Sequence, residues 1–227
     1  MQKFQLQVFK GHPIISDGKN TILIDTGAPV TLHTAGSLDF CSDTYPCSLN
    51  LNGMTIENIS DMLGMPITTL LGGDVLSHYS ILFDYINQEV TFSKQDIPLK
   101  GTTSDITLFM GIPIIQMQLN HQDVKFFLDT GAMLSYISNT FTNGTPSVGM
   151  EEDFLPGYGV FQTPCFHIVT TIGSDEFVVK YGNLPSLLQM TLMLGGVKGI
   201  MGYDLFKNFK VLVDYRNKQL KFSKYTT

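Results

Sequence analysis

The chain carries an internal duplication, and this repeat constrains the fold more than any other feature of the sequence. Blocks of residues recur in the same order with a growing offset, which indicates a duplication with insertions in the second copy. The matching blocks are residues 6–15 and 106–115 (LQVFKGHPII and ITLFMGIPII), 22–28 and 126–132 (ILIDTGA and FFLDTGA), 71–76 and 201–206 (LGGDVL and MGYDLF), and 84–94 and 214–224 (DYINQEVTFSK and DYRNKQLKFSK). Two units are too few for a solenoid, so we expect two similar halves, residues 1–100 and 101–227, packed about an approximate two-fold axis.

Each half has the pattern of an all-β unit, because short β-branched and aromatic runs alternate with turn residues. Asn52-Gly53 predicts a hairpin between residues 47–51 and 54–59. One short helix is predicted in each half, at residues 74–78 and 204–209, and Asp74 and Asp204 stand where an N-cap is needed. We expect the N-terminal strand, a linker strand and a strand near the C-terminus to form one shared sheet.

Composition excludes several classes of function. Hydrophobic residues make up 43% of the chain, which is enough for a folded core. The net charge is −6 and Arg216 is the only arginine, so the basic surface that nucleic acid requires is missing. No apolar run is long enough for a membrane span. The first residues resemble a strand and not a hydrophobic leader, so we expect a cytoplasmic protein unless a leader has been removed.

The repeated Asp-Thr-Gly-Ala motif is the strongest chemical signal. Asp25 and Asp129 each end an apolar run, and a single such aspartate is common in a tight turn. Two of them at equivalent positions of a duplicated chain would meet near the symmetry axis. Two carboxyl groups in one site cannot both ionise easily, so they share one proton. One can then act as a general base on water while the other, protonated, supports a carbonyl oxygen.

These motifs resemble those of the aspartic proteases of the pepsin and retropepsin superfamily. Each half has an apolar strand ending in Asp-Thr-Gly-Ala and a later apolar-apolar-Gly segment, at residues 70–72 and 200–202. The resemblance covers nearly the whole chain and implies a two-lobed fold with pseudo-two-fold symmetry and a short helix per lobe. It also implies catalytic and supporting roles for residues of the two motifs, with the apolar-apolar-Gly segments packed beneath. The implied catalytic residues are Asp25 and Asp129, and the implied supports are Thr26, Gly27, Ala28, Thr130, Gly131 and Ala132.

The sequence departs from a pepsin in two respects. Ala28 and Ala132 follow the glycines where pepsins often have serine, which is the retropepsin pattern. The stretch from Asp129 to Cys165 is longer than that from Asp25 to Cys47, so only the second half has room for a substrate-covering hairpin. We expect such a flap at about residues 150–163, or else a surface loop without a role. The candidate flap residues are Phe154, Gly157, Tyr158, Gly159 and Phe161.

Other chemistries have little support. The five histidines show no metal-ligand spacing, so we expect neither a metal nor another cofactor. Cys165 and His167 could share a strand face, but no third group to orient them is evident. The methionines between residues 190 and 201 are interpreted as core residues.

The sequence therefore predicts an aspartic endopeptidase that cleaves a peptide or protein substrate beside hydrophobic residues and acts as a monomer. One alternative is a catalytically silent peptide-binding module with the same fold. Another is an enzyme that needs a second chain to complete its first lobe.

Overall fold

The computed structural model describes residues 1–51, 53–155 and 158–225. The strands of residues 1–105 are β1 (Gln2–Phe9), β2 (His12–Ser16), β3 (Thr21–Ile24), β4 (Leu32–His33), β5 (Ser37–Phe40), β6 (Asp43–Pro46), β7 (Thr69–Leu71), β8 (Ser80–Asp84), β9 (Glu89–Ser93) and β10 (Thr102–Asp105). The later strands are β11 (Thr107–Phe109), β12 (Ile112–Leu119), β13 (Gln122–Leu128), β14 (Ser135–Ile137), β15 (Gly149–Leu155), β16 (Gly159–Ile172), β17 (Asp175–Gly182), β18 (Gly199–Met201), β19 (Phe209–Asp214) and β20 (Gln219–Lys224). The helices are α1 (Ile56–Leu63), α2 (Gly73–Leu76), α3 (Ser186–Leu194) and α4 (Tyr203–Asn208), with a 3₁₀ turn at Asn139–Phe141.

Strands from both halves share the largest sheet. Its order is β10-β20-β19-β8-β9-β1-β2-β3-β7-β4, and an eight-stranded sheet follows the order β11-β12-β13-β18-β14-β17-β16-β15. The halves meet where β19 pairs antiparallel with β8, with Val213 opposite Ile81. The expected shared sheet of N-terminal, linker and C-terminal strands is present as β1, β10 and β20. Because this sheet crosses residue 100, the division at that position stays a prediction.

A similar parallel strand pair occurs in each half. In the first half β3 pairs parallel with β7, placing Ile24 beside Leu71. In the second half β13 pairs parallel with β18, placing Leu128 beside Met201. Each pair brings the strand that ends in Asp-Thr-Gly next to the apolar-apolar-Gly segment. These segments lie beside the motif loops, where the resemblance places them.

The two short helices, α2 and α4, lie close to their predicted positions, but their N-caps are Gly72 and Gly202 and not the aspartates. Each aspartate is the second helical residue and links its helix to a neighbouring segment. Asp74 Oδ1 accepts hydrogen bonds from the backbone and hydroxyl of Thr31 at 2.9 and 2.6 Å. Asp204 Oδ2 accepts one from the backbone of Lys180 at 2.9 Å. The N-cap prediction was therefore wrong, because tertiary partners compete for these carboxylates.

Two further helices, α1 and α3, were not predicted from the sequence. The predicted strand at residues 54–59 is wrong, because α1 begins at Ile56, two residues after a turn that links Leu51 to Met54. Thr55 caps the helix through Asn58, and Gly64 ends it in the left-handed region at φ 73°.

Helix α3 also contradicts the interpretation of the later methionines as core residues. Met190 and Met193 on this helix are 60% and 73% exposed, whereas Met201 is buried.

A continuous apolar core underlies both sheets, and its largest buried side chains include Tyr79, Phe83, Phe126 and Phe206. Among the described residues, two smaller apolar clusters, one in each half, are separate from it. Within residues 1–51, 53–155 and 158–225, no helix has the length and apolarity to cross a membrane.

Candidate active site

The two Asp-Thr-Gly loops are anchored in the same way by their own halves. The backbone N–H of Asp25 donates to the carbonyl of Leu71 at 3.0 Å, and that of Asp129 donates to Met201 at 2.9 Å. The aspartates therefore leave their strands at equivalent points, held by the adjacent parallel strand.

The helices α2 and α4 hold the far side of the loops. The backbone N–H of Gly73 donates to the Ala28 carbonyl at 2.7 Å, and that of Tyr203 donates to the Ala132 carbonyl at 3.0 Å. Each loop is thus held by a strand and a helix of its own half, in addition to its contacts with the other loop.

Threonines join the loops to each other. The Thr26 hydroxyl donates to the Leu128 carbonyl at 2.7 Å, and the Thr130 hydroxyl donates to the Ile24 carbonyl at 2.7 Å. Both threonines are buried, so these hydrogen bonds are shielded from water. Both hydrogen bonds cross from one motif loop to the strand that leads into the other.

The glycines let the two carboxyl groups approach each other. A Cβ added to Gly131 would lie 2.6 Å from the carboxyl carbon of Asp25, and a Cβ added to Gly27 would overlap the carboxyl group of Asp129. A contact this close leaves no space for a side chain, so each aspartate packs against the opposite glycine.

Burial raises the pKa of both aspartates. For Asp129 the negative charge of Asp25 adds to this effect and holds the pKa well above its usual range. The pKa of Asp25 is also raised by burial, although hydrogen bonds from the Gly27 and Ala28 backbones oppose the rise. These bonds to Asp25 Oδ1 measure 2.9 and 3.0 Å. The pair is therefore able to retain a proton at a pH where an isolated aspartate is ionised.

The carboxyl groups lie in a cleft of about 520 Å³ between the halves. Its walls are mainly apolar on both sides. The first half contributes Leu23, Leu32, Leu51, Met54, Ile59, Leu63 and Leu70, and the second contributes Ile112, Phe127, Leu184, Leu192 and Ile200. Four of the first-half residues come from α1 and the turn before it, so this helix forms part of the cleft wall. This role of α1 was not predicted, because the Asn52-Gly53 pattern indicates a strand at residues 54–59.

A hairpin of β15 and β16 reaches the cleft from the second half, where the sequence predicted a flap. Phe154 lines the cleft together with Asp153, while Phe161 packs on Tyr136 with ring centroids 6.1 Å apart. Tyr158 is 41% exposed and stacks edge-on against Phe161.

The remaining flap candidates are two glycines. Gly159 has a φ of 101° and pairs with Leu155 across the hairpin. Gly157 lies outside the described residues. Of the flap candidates that the structure describes, Phe154 lines the cleft, whereas Tyr158, Gly159 and Phe161 do not.

Three polar residues of the cleft were not predicted, namely His12, Tyr136 and Asp153. A signal for His12 was available, because the aligned repeat places it opposite Ile112. Within the described ranges, no three His, Cys, Asp or Glu side chains are grouped as metal ligands.

Neither a protein-family model nor a curated protein matches the sequence. Among solved structures, the chain is similar to the aspartic proteinase from Irpex lacteus, with a TM-score of 0.53 and 13% identity over 99% of this chain and 97% of that one. It also matches a retropepsin-like aspartic protease from Rickettsia conorii at 18% identity and TM-score 0.38, covering 55% of this chain and 96% of that one. The simian foamy virus (mac) protease matches at 9% identity and TM-score 0.31, covering 40% and 88%.

The similarity to the Irpex lacteus proteinase extends over 99% of this chain and therefore includes both halves. The chain therefore has the all-β, two-lobed fold of that aspartic proteinase, which confirms the predicted fold class.

Proposed function

We propose that the protein is an aspartic endopeptidase in which Asp25 and Asp129 are the catalytic residues. The observation that carries this proposal is the meeting of two Asp-Thr-Gly loops at the floor of one cleft. A single such loop would be an ordinary turn. Two loops held together by buried threonine hydrogen bonds fix two carboxyl groups side by side in a substrate-sized space.

The proposed reaction uses the proton that the pair retains. The ionised carboxylate takes a proton from a water molecule while the oxygen of that water attacks the carbonyl carbon of the peptide bond. The protonated carboxyl donates its proton to the carbonyl oxygen, giving a tetrahedral diol. The carbon–nitrogen bond then breaks, the amine nitrogen takes a proton from the pair, and a diol hydroxyl returns one. The pair ends in its starting state.

The cleft supports an extended peptide as the substrate. Apolar walls on both sides of the carboxyl groups would accept hydrophobic side chains flanking the cleaved bond. The hairpin beside the cleft could pair with the substrate backbone by strand addition. Both motif loops belong to one chain, so we propose that a monomer is active. Specific activity should then be independent of protein concentration.

The test is cleavage of a diverse peptide mixture, followed by mass spectrometry, with the wild-type protein and the variants Asp25→Asn and Asp129→Asn. Each substitution removes one member of the proton-sharing pair, so turnover should fall by about 100-fold or more. Asp105→Asn is the matched control, because Asp105 is exposed on the edge strand β10. If either dyad variant keeps more than a few per cent of wild-type activity, the assignment is wrong.

A further inference from the structure

The hairpin of β15 and β16, here called the flap hairpin, carries two acidic side chains with different partners. Glu151 and Asp153 are two residues apart on β15, so their side chains leave the same face of the strand. Glu151 Oε1 lies 2.8 Å from Lys180 Nζ in an ion pair. Among the residues that the structure describes, no ion pair includes Asp153. The charge of Glu151 is therefore balanced by a lysine of the protein, whereas the charge of Asp153 is not.

The carboxylate of Asp153 is held in a fixed orientation and can be reached from the cleft. Asp153 is only partly buried, and it lines the cleft together with Tyr136. The Tyr136 hydroxyl donates to Asp153 Oδ2, and the backbone N–H of Phe154 donates to Oδ1 at 2.8 Å. A carboxylate has about four acceptor positions. Each oxygen therefore keeps acceptor capacity for a group bound in the cleft.

The surroundings of this carboxylate are mainly hydrocarbon. Among the described residues that line the cleft, none is a lysine or an arginine. The third polar residue on the walls, His12, is buried, and burial lowers the pKa of its imidazole, which favours the neutral ring. Leu32 is the first-half equivalent of Tyr136, since each pairs with the middle residue of the neighbouring strand, β7 or β18. The oriented acidic group thus belongs to the second half of the cleft, and the first half offers an apolar side chain at the equivalent of its tyrosine partner.

We propose, building on the peptidase function above, that Asp153 and Tyr136 form a subsite for a cationic side chain of the substrate, lysine or arginine. A bound peptide displaces water from the cleft, and a carboxylate that is buried without a cation is costly. A lysine or arginine side chain supplies the cation, and its hydrocarbon stem can pack on the apolar walls. A methionine side chain would leave the charge unpaired, and a glutamate side chain would place a like charge beside it.

The test uses a cleaved peptide in which each position on both sides of the scissile bond is changed in turn to Lys, Met, Gln or Glu. The assay is run at about pH 6, where aspartate is ionised and lysine is protonated. At one position kcat/KM should be about 10-fold higher for Lys than for Met and lowest for Glu, because hydrogen bonds between charged groups are stronger than neutral ones. A Lys-to-Met ratio of one or less at every position, or equal rates for Gln and Lys, would overturn the proposal.

Three variants assign the preference to Asp153. Asp153→Asn keeps the shape and an acceptor for Tyr136 but removes the charge, so the Lys-to-Met ratio should fall to about one, mainly through KM. Tyr136→Phe removes the hydroxyl that orients the carboxylate and should lower the ratio in part. Glu151→Gln is the matched control on the same strand face, and it should leave the ratio unchanged because Lys180 already pairs with Glu151.

The ratio compares two peptides on the same protein, so a fraction of unfolded variant does not alter it. An Asp153→Asn protein that keeps the wild-type ratio contradicts the assignment. An equal fall in Glu151→Gln also contradicts it, since the preference would then follow the overall negative charge and not this subsite.

Binding separates this proposal from the peptidase function. Fluorescence anisotropy with Asp25→Asn and labelled Lys and Met peptides measures recognition without turnover. If the wild-type protein cleaves no peptide, but Lys peptides bind about 10-fold more tightly and Asp153→Asn removes the difference, the subsite is supported and the peptidase rejected. Cleavage without a Lys preference rejects the subsite alone. Neither cleavage nor binding rejects both.

Discussion

The backbone N–H of Thr26 donates to the hydroxyl of Thr130, and the backbone N–H of Thr130 donates to the hydroxyl of Thr26, each at 3.0 Å. Each hydroxyl therefore accepts a hydrogen bond from the backbone N–H of the opposite loop and donates one to a backbone carbonyl. This reciprocal arrangement closes a small hydrogen-bond network between residues that are far apart in sequence. It fixes the relative position of the two candidate catalytic loops, and neither half could form it alone.

The network predicts different outcomes for two substitutions of Thr26. Thr26→Val keeps the shape but leaves the Thr130 N–H and the Leu128 carbonyl unpaired in a buried site, at a cost of about 1–3 kcal/mol for each group. Thr26→Ser keeps the hydroxyl and should retain most of the activity. Urea denaturation and peptide turnover of both variants make the comparison. Equal loss in the two variants would show that the hydroxyl is unimportant.

The raised pKa of the aspartates predicts that the candidate active site destabilises the fold at neutral pH. A carboxyl group whose pKa is higher in the folded than in the unfolded state binds its proton more tightly when folded, so stability falls as pH rises through the shifted range. Asp129→Asn removes this effect. Its melting temperature should exceed that of the wild type at pH 7, and the difference should shrink at pH 3.

Asp105→Asn is the control for that experiment, since its side chain is exposed. A dyad variant that is less stable than the wild type at pH 7 would contradict the prediction.

Ala28 and Ala132 predict where the pH optimum lies. A serine at either position could donate a hydrogen bond to the ionised pair and lower its pKa, whereas alanine cannot. We expect a bell-shaped rate profile with an optimum at about pH 4–6.5. Ala28→Ser and Ala132→Ser should each move the profile to lower pH. A wild-type optimum near about pH 2, or serine variants with an unmoved profile, would refute the argument.

The flap hairpin predicts a kinetic effect with little loss of stability. Residues 155–159 can be replaced by Asn-Gly, which joins Phe154 to Val160 across a two-residue turn. Because a lid positions substrate and excludes water, KM should rise and kcat should fall. The melting temperature should change little, since the removed Tyr158 side chain is 41% exposed. His121→Gly alters a hairpin turn that does not line the cleft and serves as the control. Unchanged kinetics in the shortened variant would exclude a flap role.

The repeat predicted two similar all-β halves with their motif loops together, and the resemblance to aspartic proteases added the two-lobed fold class. An apolar strand that ends in Asp-Thr-Gly is a local pattern and can be recognised in the sequence. The contact between the two distant loops was predicted from the repeat, because two similar halves packed about a two-fold axis bring equivalent residues together. The catalytic role of Asp25 and Asp129 stays a prediction. The signal for α1 was also local, since Thr55 and Gly64 bracket eight residues, yet Asn52-Gly53 favoured a hairpin interpretation.

Tertiary structure alone decided which groups surround the polar side chains of the chain. Asp74 and Asp204 have equivalent sequence contexts and were predicted to be caps, but Thr31 and Lys180 bind their carboxylates instead. His12 shows the same limit of local pattern: it lies in an ordinary hairpin, and its environment comes from Gly131 and Asp153, more than 100 residues away. Sequence pattern determines which face of a strand is buried. Hydrogen-bond partners and pKa shifts depend on distances between segments that only the folded chain brings together.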